Sequence, residues 1–252
     1  MFGRNRIPKS QSADKSAYTF YNPHTIDLKK RKWGDIIRII SIDPGTVNYC
    51  IRIEERSINI NVKYKPKTLL YDKLRIPRKD LKLTEEFECK YYKIFLEYFE
   101  KHLELLKTCH IVIVERQMPF NYKATRIAQH TLTFFMIQLK NLPQLPMIFE
   151  IDSKLKGKEL DAPKTLNKNG LKEWAVQIAT QLLKQRNDNK GLDILYSNRK
   201  KDDLADTLCQ IEAFFSYFGW PLTSEIMPPQ LNIIQTSPSP SPSSISLNII
   251  NK

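Results

Sequence analysis

The sequence predicts one α/β domain, on three observations: short β-branched runs stopped by turn residues, segments with apolar residues at helical spacing, and the alternation of the two. The 252 residues, 41% hydrophobic, can bury the core of a domain of about 150 to 200 residues and leave tails to spare. That domain is expected over residues 33–220, between a basic flexible arm at 1–32 and a tail at 221–252.

Ile36 to Asp43 (IIRIISID) reads as a strand halted by Pro44-Gly45, followed by Val47 to Glu54 and Ser57 to Tyr64 in a three-stranded meander. From Thr84 to about Lys107, Phe87, Tyr91, Ile94 and Tyr98 recur at helical spacing, with Thr84 as N-cap and Glu85 and Glu86 in the first turn. His110 to Glu115 (HIVIVE) has the aliphatic core of a strand buried on both faces. Ala124 to Lys140 is a helix whose stripe of Ala128, Leu132, Phe135 and Leu139 suits its own core better than an interface. A strand over Pro146 to Ile151, a helix over Leu171 to Arg186 and a last helix over Lys201 to Phe218 complete the order. The sum is a mixed five-stranded sheet flanked by helices.

Forty Lys plus Arg against 27 Asp plus Glu give a formal charge of +13, which favours a polyanion such as nucleic acid through counterion release. An apolar run of the roughly 18 residues needed to cross a bilayer is missing, so no membrane association is expected. Cys50, Cys89, Cys109 and Cys209 have neither zinc-ligand spacing nor a disulfide pattern and read as reduced intracellular thiols. His24, His102, His110 and His130 show no metal spacing. Lys29-Lys30-Arg31-Lys32 could be a nuclear address or a phosphate-binding arm, and the Arg, Lys and Ser content before it faintly resembles a mitochondrial transit peptide. The Ser/Pro run from Ser237 to Pro242 is expected to be disordered.

The carboxylates carry the chemistry. Asp43 ends the first strand, Glu115 ends the fourth, and Asp203 and Asp206 lie one turn apart at the start of the last helix. Strand ends open into the crevice where α/β sheets bind ligands, and acids at i and i+3 share a helix face. Taken singly, Asp43 before Pro-Gly is an ordinary turn residue and Asp202 and Asp203 could merely cap a helix. Glu115, directly after Ile111-Val112-Ile113-Val114, is harder to leave idle. Clustered acids repel one another unless protonated or bound to cations, and oxygen-only ligation selects Mg²⁺ or Mn²⁺ over zinc.

These segments bring a family into view. Ser41-Ile42-Asp43-Pro44-Gly45-Thr46-Val47-Asn48 resembles the S-[IM]-D-x-G-x-x-N motif of RuvC-like resolvases, and Val114-Glu115-Arg116-Gln117 their second motif. Lys201-Asp202-Asp203-Leu204-Ala205-Asp206-Thr207 is similar to the K-D-D-[LI]-A-D-S segment of fungal mitochondrial cruciform-cutting and poxvirus-type resolvases. The three occur in the family's order, over Ile36 to Phe218. The resemblance implies an RNase H-like fold, a homodimer, two Mg²⁺ per active site with no small-molecule cofactor, and symmetric nicks across four-way (Holliday) junction DNA. It makes Asp43, Glu115, Asp203 and Asp206 the catalytic, metal-binding set, with Asp202 as the alternative or supporting ligand. The basic arm and the Ser/Pro tail depart from compact bacterial relatives.

Beside the acids, Gln117, Tyr122, Lys123 and Arg126 mix aromatic and basic groups where a splayed junction could lie, and Phe120 and Asn121 fall in the same segment. Lys156, Lys164 and Lys168, with Lys154, Lys158 and Lys172, are expected in a loop that tracks phosphates; an ordinary solvated surface is the bland alternative for both segments. Competing functions are an RNase H-like nuclease for RNA-DNA hybrids, flaps or mobile-element DNA, and a non-catalytic junction-binding protein. The expected location is intracellular, at a site of DNA replication, with viral factory, nucleus and mitochondrion undistinguished.

Overall fold

The computed structural model describes residues 28, 33–76 and 86–222, of which residues 86–90 are described in backbone only. Most of the basic arm, the Thr84 cap, the Phe87 side chain and the Ser/Pro tail lie outside the described residues.

The sheet is built on β1 (Ile36–Pro44) and β4 (Ile111–Glu115), which pair in parallel. β1 also pairs antiparallel with β2 (Asn48–Ser57), β2 with β3 (Lys67–Arg75), and β4 pairs in parallel with β5 (Met147–Ile151). The strand order is β3-β2-β1-β4-β5, the mixed five-stranded sheet expected.

Because side chains alternate across a strand, the consecutive isoleucines of β1 serve two cores. Ile37 and Ile39 face one cluster with Ile111, Ile113 and Phe149; Ile40 and Ile42 face a second with Val112 and Val114. The second core is covered by α1 (Glu86–Lys101), α2 (Leu103–Lys107) and α3 (Tyr122–Leu139), whose Ala128, Leu132, Phe135 and Leu139 are all buried there. The first is covered by α4 (Leu155–Glu159), α5 (Lys168–Arg186), α6 (Asn189–Ser197) and α7 (Asp202–Tyr217). Asp43 keeps the parity of Ile39 and therefore opens on the α7 side of the sheet.

Three expectations need correction. The third strand is Lys67–Arg75, not Ser57 to Tyr64. Ile58, Ile60 and Val62 alternate with polar residues, but Ile60 is exposed. The Ser57 hydroxyl bonds to the carbonyl of Asn59, and the Asn59 amide bonds to Asp35, so the segment turns instead of pairing. The helix expected from 84 to 107 breaks at His102, whose φ of −105° and ψ of 5° leave the helical well and whose ring lies tilted against that of Tyr98, 4.8 Å between centres. The Lys154 to Lys172 stretch is not one loop: it holds α4 and the first turn of α5, which is capped by Asn167 accepting from the backbone of Asn169 and Gly170.

Candidate active site

Asp43 is delivered by the end of β1, where Pro44-Gly45 reverses the chain into β2. The turn is so close that a Cβ on Gly45 would lie 2.2 Å from the Asn48 carbonyl oxygen, so only glycine fits. Glu115 comes from the end of β4, two strand positions beyond buried Ile113, and α7 brings its first turns over both.

Burial and the repulsion of Glu115, Asp206 and Asp203 lift the Asp43 carboxyl well above the usual carboxylate range, against the pull of Lys156. The Asp206 carboxyl is pushed up to about 6, first by burial, with Lys156 opposing and Glu115 adding to the rise. The expected acids thus sense one another at one end of the sheet.

Asp203 and Asp202 point different ways. Asp203 accepts from the Asn48 side-chain amide at 2.8 Å and from the Lys200 ammonium at 2.9 Å, and so faces β2 and Asp43. Asp202 pairs with Lys172 of α5 at 2.5 Å, and Lys172 holds its carboxyl below the ordinary value in spite of burial. Asp203 is the one that turns to the cluster.

Two further residues join the acids. Lys156 of α4 places its ammonium 2.7 Å from Asp206 and 3.4 Å from Glu115. Burial alone would discharge this lysine, but Asp206 and Glu115 outweigh burial and raise its pKa. Gln210, one turn beyond Asp206, donates to Glu115 at 2.5 Å while accepting from the Ser41 hydroxyl at 2.7 Å. Lys156 was expected in a phosphate-tracking loop and instead sits among the acids. Gln210 went unnoticed, though Asp203, Asp206 and Gln210 at i, i+3 and i+7 share one helix face.

Among the described residues no three His, Cys, Asp or Glu side chains are arranged to hold a metal ion. The acids lean toward Lys156, Gln210, Asn48 and Lys200 instead of toward one point. The donor chemistry still suits a hard divalent cation: every donor is a carboxylate oxygen, and burial together with the charge of neighbouring acids holds the Asp43 and Asp206 carboxyls above their ordinary range, a burden that a bound cation would relieve.

The other expected contacts surround this centre. Lys154, Lys156, Lys158, Lys164, Lys168 and Lys172 line, together with Asp206, a cavity of about 780 Å³. Across the β4–α3 connection, Phe120 and Tyr122 are exposed, the Lys123 ammonium lies 6.0 Å from the Tyr122 ring centre, and Gln117 donates to the Glu115 carbonyl. Arg126 is exposed on α3.

The fold matches a solved one. The yeast mitochondrial Holliday junction resolvase Ydc2 superposes with a TM-score of 0.53 over 76% of this chain and 84% of that one, at 16% identity. This chain has the RuvC-like resolvase fold. The expectation of an RNase H-like architecture is met by that match. A fowlpox virus resolvase solved with Holliday junction DNA is also similar, at a TM-score of 0.46 and 16% identity over 73% of this chain and 97% of that one. No family model matches the sequence. Uncharacterized protein 97L of Invertebrate iridescent virus 3 is 30% identical over 122 residues, 48% of this chain and 55% of that protein. Uncharacterized protein 170L of Invertebrate iridescent virus 6 is 25% identical over 73% of this chain and 91% of that protein. The chain with the resolvase fold thus has viral relatives, and it spans about half the length of the first of them. Among its described residues no helix is long and apolar enough to cross a membrane.

Proposed function

We propose that this protein is a metal-dependent endonuclease that resolves four-way DNA junctions. The observation that carries the reading is the meeting of Asp43, Glu115, Asp203 and Asp206 at one end of the sheet, where burial and the repulsion of its neighbours lift the Asp43 carboxyl. The net charge of +13 supports a polyanionic substrate, and the junction resolvase Ydc2, which shares the fold, supports the junction as that substrate.

Asp43, Glu115, Asp203 and Asp206 would hold Mg²⁺, with Mn²⁺ as a substitute. A pair of such ions would supply activation of water and stabilisation of the leaving oxygen. The chain's own residues prepare the site. Gln210 and Lys156 fix the Glu115 carboxylate, and Asn48 and Lys200 fix Asp203, so that the donors are oriented before substrate arrives. Lys156 brings positive charge into a cluster that would otherwise repel a phosphodiester. The lysines that line the cavity beside Asp206, Lys154, Lys156, Lys158, Lys164, Lys168 and Lys172, and the Tyr122 segment hold the flanking backbone and unstacked bases. A homodimer presents two such sites to a four-armed substrate and makes paired nicks. Its work belongs at a site of viral DNA replication, a reading that the viral relatives support.

The test is the cleavage of a labelled four-way junction against linear duplex, flap and RNA-DNA hybrid, with Mg²⁺ or with EDTA. Paired Mg²⁺-dependent nicks confined to the junction are expected. Cutting of hybrid or flap alone would move the function to another RNase H-like nuclease, and junction binding without cutting would make it a non-catalytic binder.

A further inference from the structure

The acids are bordered on one side by the lysine-lined cavity of α4 and α5, and a second basic cavity lies on the other side. It has a volume of about 590 Å³ and is lined by Val47, Asn48, Lys73, Arg75, Ile76, Arg199 and Lys200. Two hydrogen bonds build it. Lys73 on β3 donates to the Lys200 carbonyl at 2.7 Å, tying the strand to the segment before α7, and Asn48 donates to Asp203 at 2.8 Å, tying the cavity floor to the candidate site.

The charge here is unbalanced. Lys200 is paired with Asp203, whereas among the described residues no carboxylate forms an ion pair with Arg75, Arg199 or Lys73. Asp72, the nearest acid on the strand, accepts from the Tyr98 hydroxyl of α1, on the other face of the sheet from Lys73. Arg75 and Arg199 are exposed at the cavity mouth. Uncompensated cations in a concave surface gather anions, and guanidinium forks suit the paired oxygens of a phosphodiester.

Asp203 touches this second cavity through Asn48 and Lys200, and Asp206 lines the first. A strand whose reacting phosphate lies over the acids must leave them in two directions, and each direction meets a basic cavity. We propose that Lys73, Arg75 and Arg199 form a second phosphodiester-binding site that holds the cut strand on the side away from the α4–α5 lysines. The assignment rests on the nuclease reading and adds to it where the outgoing backbone runs.

The experiment measures binding of the full chain to a fluorescent four-way junction in EDTA, where no cutting is expected, over a salt series. Replacing Arg75 and Arg199 together by glutamine lowers the slope of log affinity against log salt by about 1.8, or about 0.9 for each phosphate that is no longer neutralised. Arg75→Lys with Arg199→Lys keeps the slope while weakening binding, and Lys184→Gln, at the exposed end of α5, changes neither. A junction with uncharged methylphosphonate linkages on one flank of the cut then locates the bound phosphates. On one flank the neutral linkages cost the wild type affinity but cost the glutamine variant nothing more. An unchanged slope, or additive losses on both flanks, in a protein that still binds and cuts junctions overturns this assignment alone. A wild-type chain that binds no DNA overturns the nuclease reading as well.

Discussion

Replacing Glu54 by glutamine should cost this protein more stability than any exposed charge can supply. On the α7 side of β2, Arg52, Glu54 and Arg56 point into the fold and meet Arg186 of α5 and Glu212 of α7, all essentially without solvent exposure. Glu54 accepts from Arg52 at 2.5 Å and from Arg186 at 2.6 Å; Glu212 accepts from Arg56 at 2.5 Å and from Arg186 at 2.7 Å. Three guanidinium groups therefore share two fully buried carboxylates, with Asp188 at 3.4 Å from Arg52 as a partly exposed third. Burial works against the Glu54 charge, but Arg186, Arg52 and Arg56 overcome it and bring its pKa down to about 2 from 4.5. At about 1.4 kcal/mol per unit, that difference corresponds to about 3 kcal/mol at neutral pH. Removing one member of a buried ion cluster costs about 3 to 5 kcal/mol by a separate route, the stranding of its partners. The two figures describe the same loss and are not added. In a domain of this size each kcal/mol moves Tm by about 2 to 4 °C, so Glu54→Gln should lower Tm by about 6 to 20 °C. Because the folded pKa is depressed, the contribution is complete above pH 4.5 and fades as pH falls from there toward 2. Urea unfolding of both proteins from pH 7 down to 3 is the assay. A difference below about 1 kcal/mol at pH 7, or one that does not narrow under pH 4.5, would mean that the buried arginines do not hold Glu54 in its charged form.

The site makes further predictions. Gln210→Met should slow junction cutting by at least about tenfold with junction affinity unchanged, since it removes the donor that fixes Glu115; single-turnover rates and anisotropy binding separate the two. Lys156→Met should reduce cutting by about 100-fold and, because the lysine lowers the Asp206 carboxyl, move the acid limb of the pH–rate profile upward by about a unit. An unmoved limb would detach Lys156 from the chemistry. Gly45→Ala should force the β1–β2 turn apart at Asn48, costing about 1 to 3 kcal/mol in urea unfolding and most of the cutting activity, because Asp43 and Asn48 both stand on that turn.

Much of the fold was legible because it is written locally. The isoleucine run of β1, the aliphatic run of β4 and the apolar stripe of α7 each announce their element, and Asp43, Glu115 and the Asp203–Asp206 pair stand at the ends of those elements. What escaped is written at long range. Arg52, Glu54 and Arg56 are charged residues on a strand, and only distant partners make them interior: Arg186, at a separation of 132 residues from Glu54, and Glu212, at 156 from Arg56. Lys156 looked like one lysine among many; its place between Glu115 and Asp206 depends on how α4 folds back after β5. The third strand was misplaced because β3 is half-exposed at the sheet edge and lacks a clean alternation, while the turn before it happens to alternate.

If the acids at the ends of β1, β4 and α7 form one metal-dependent cutting site, neutralising either Asp43 or Asp203 stops the cutting while the junction still binds. Single-turnover cleavage of a four-way junction by the wild type, Asp43→Asn and Asp203→Asn, with binding measured in parallel, is the decisive measurement. Mg²⁺-dependent paired nicks are expected for the wild type and loss of cutting by about 1,000-fold or more in each variant, with junction affinity kept or improved as repulsion of phosphate is removed. Cutting at the wild-type rate by either variant would contradict that site assignment.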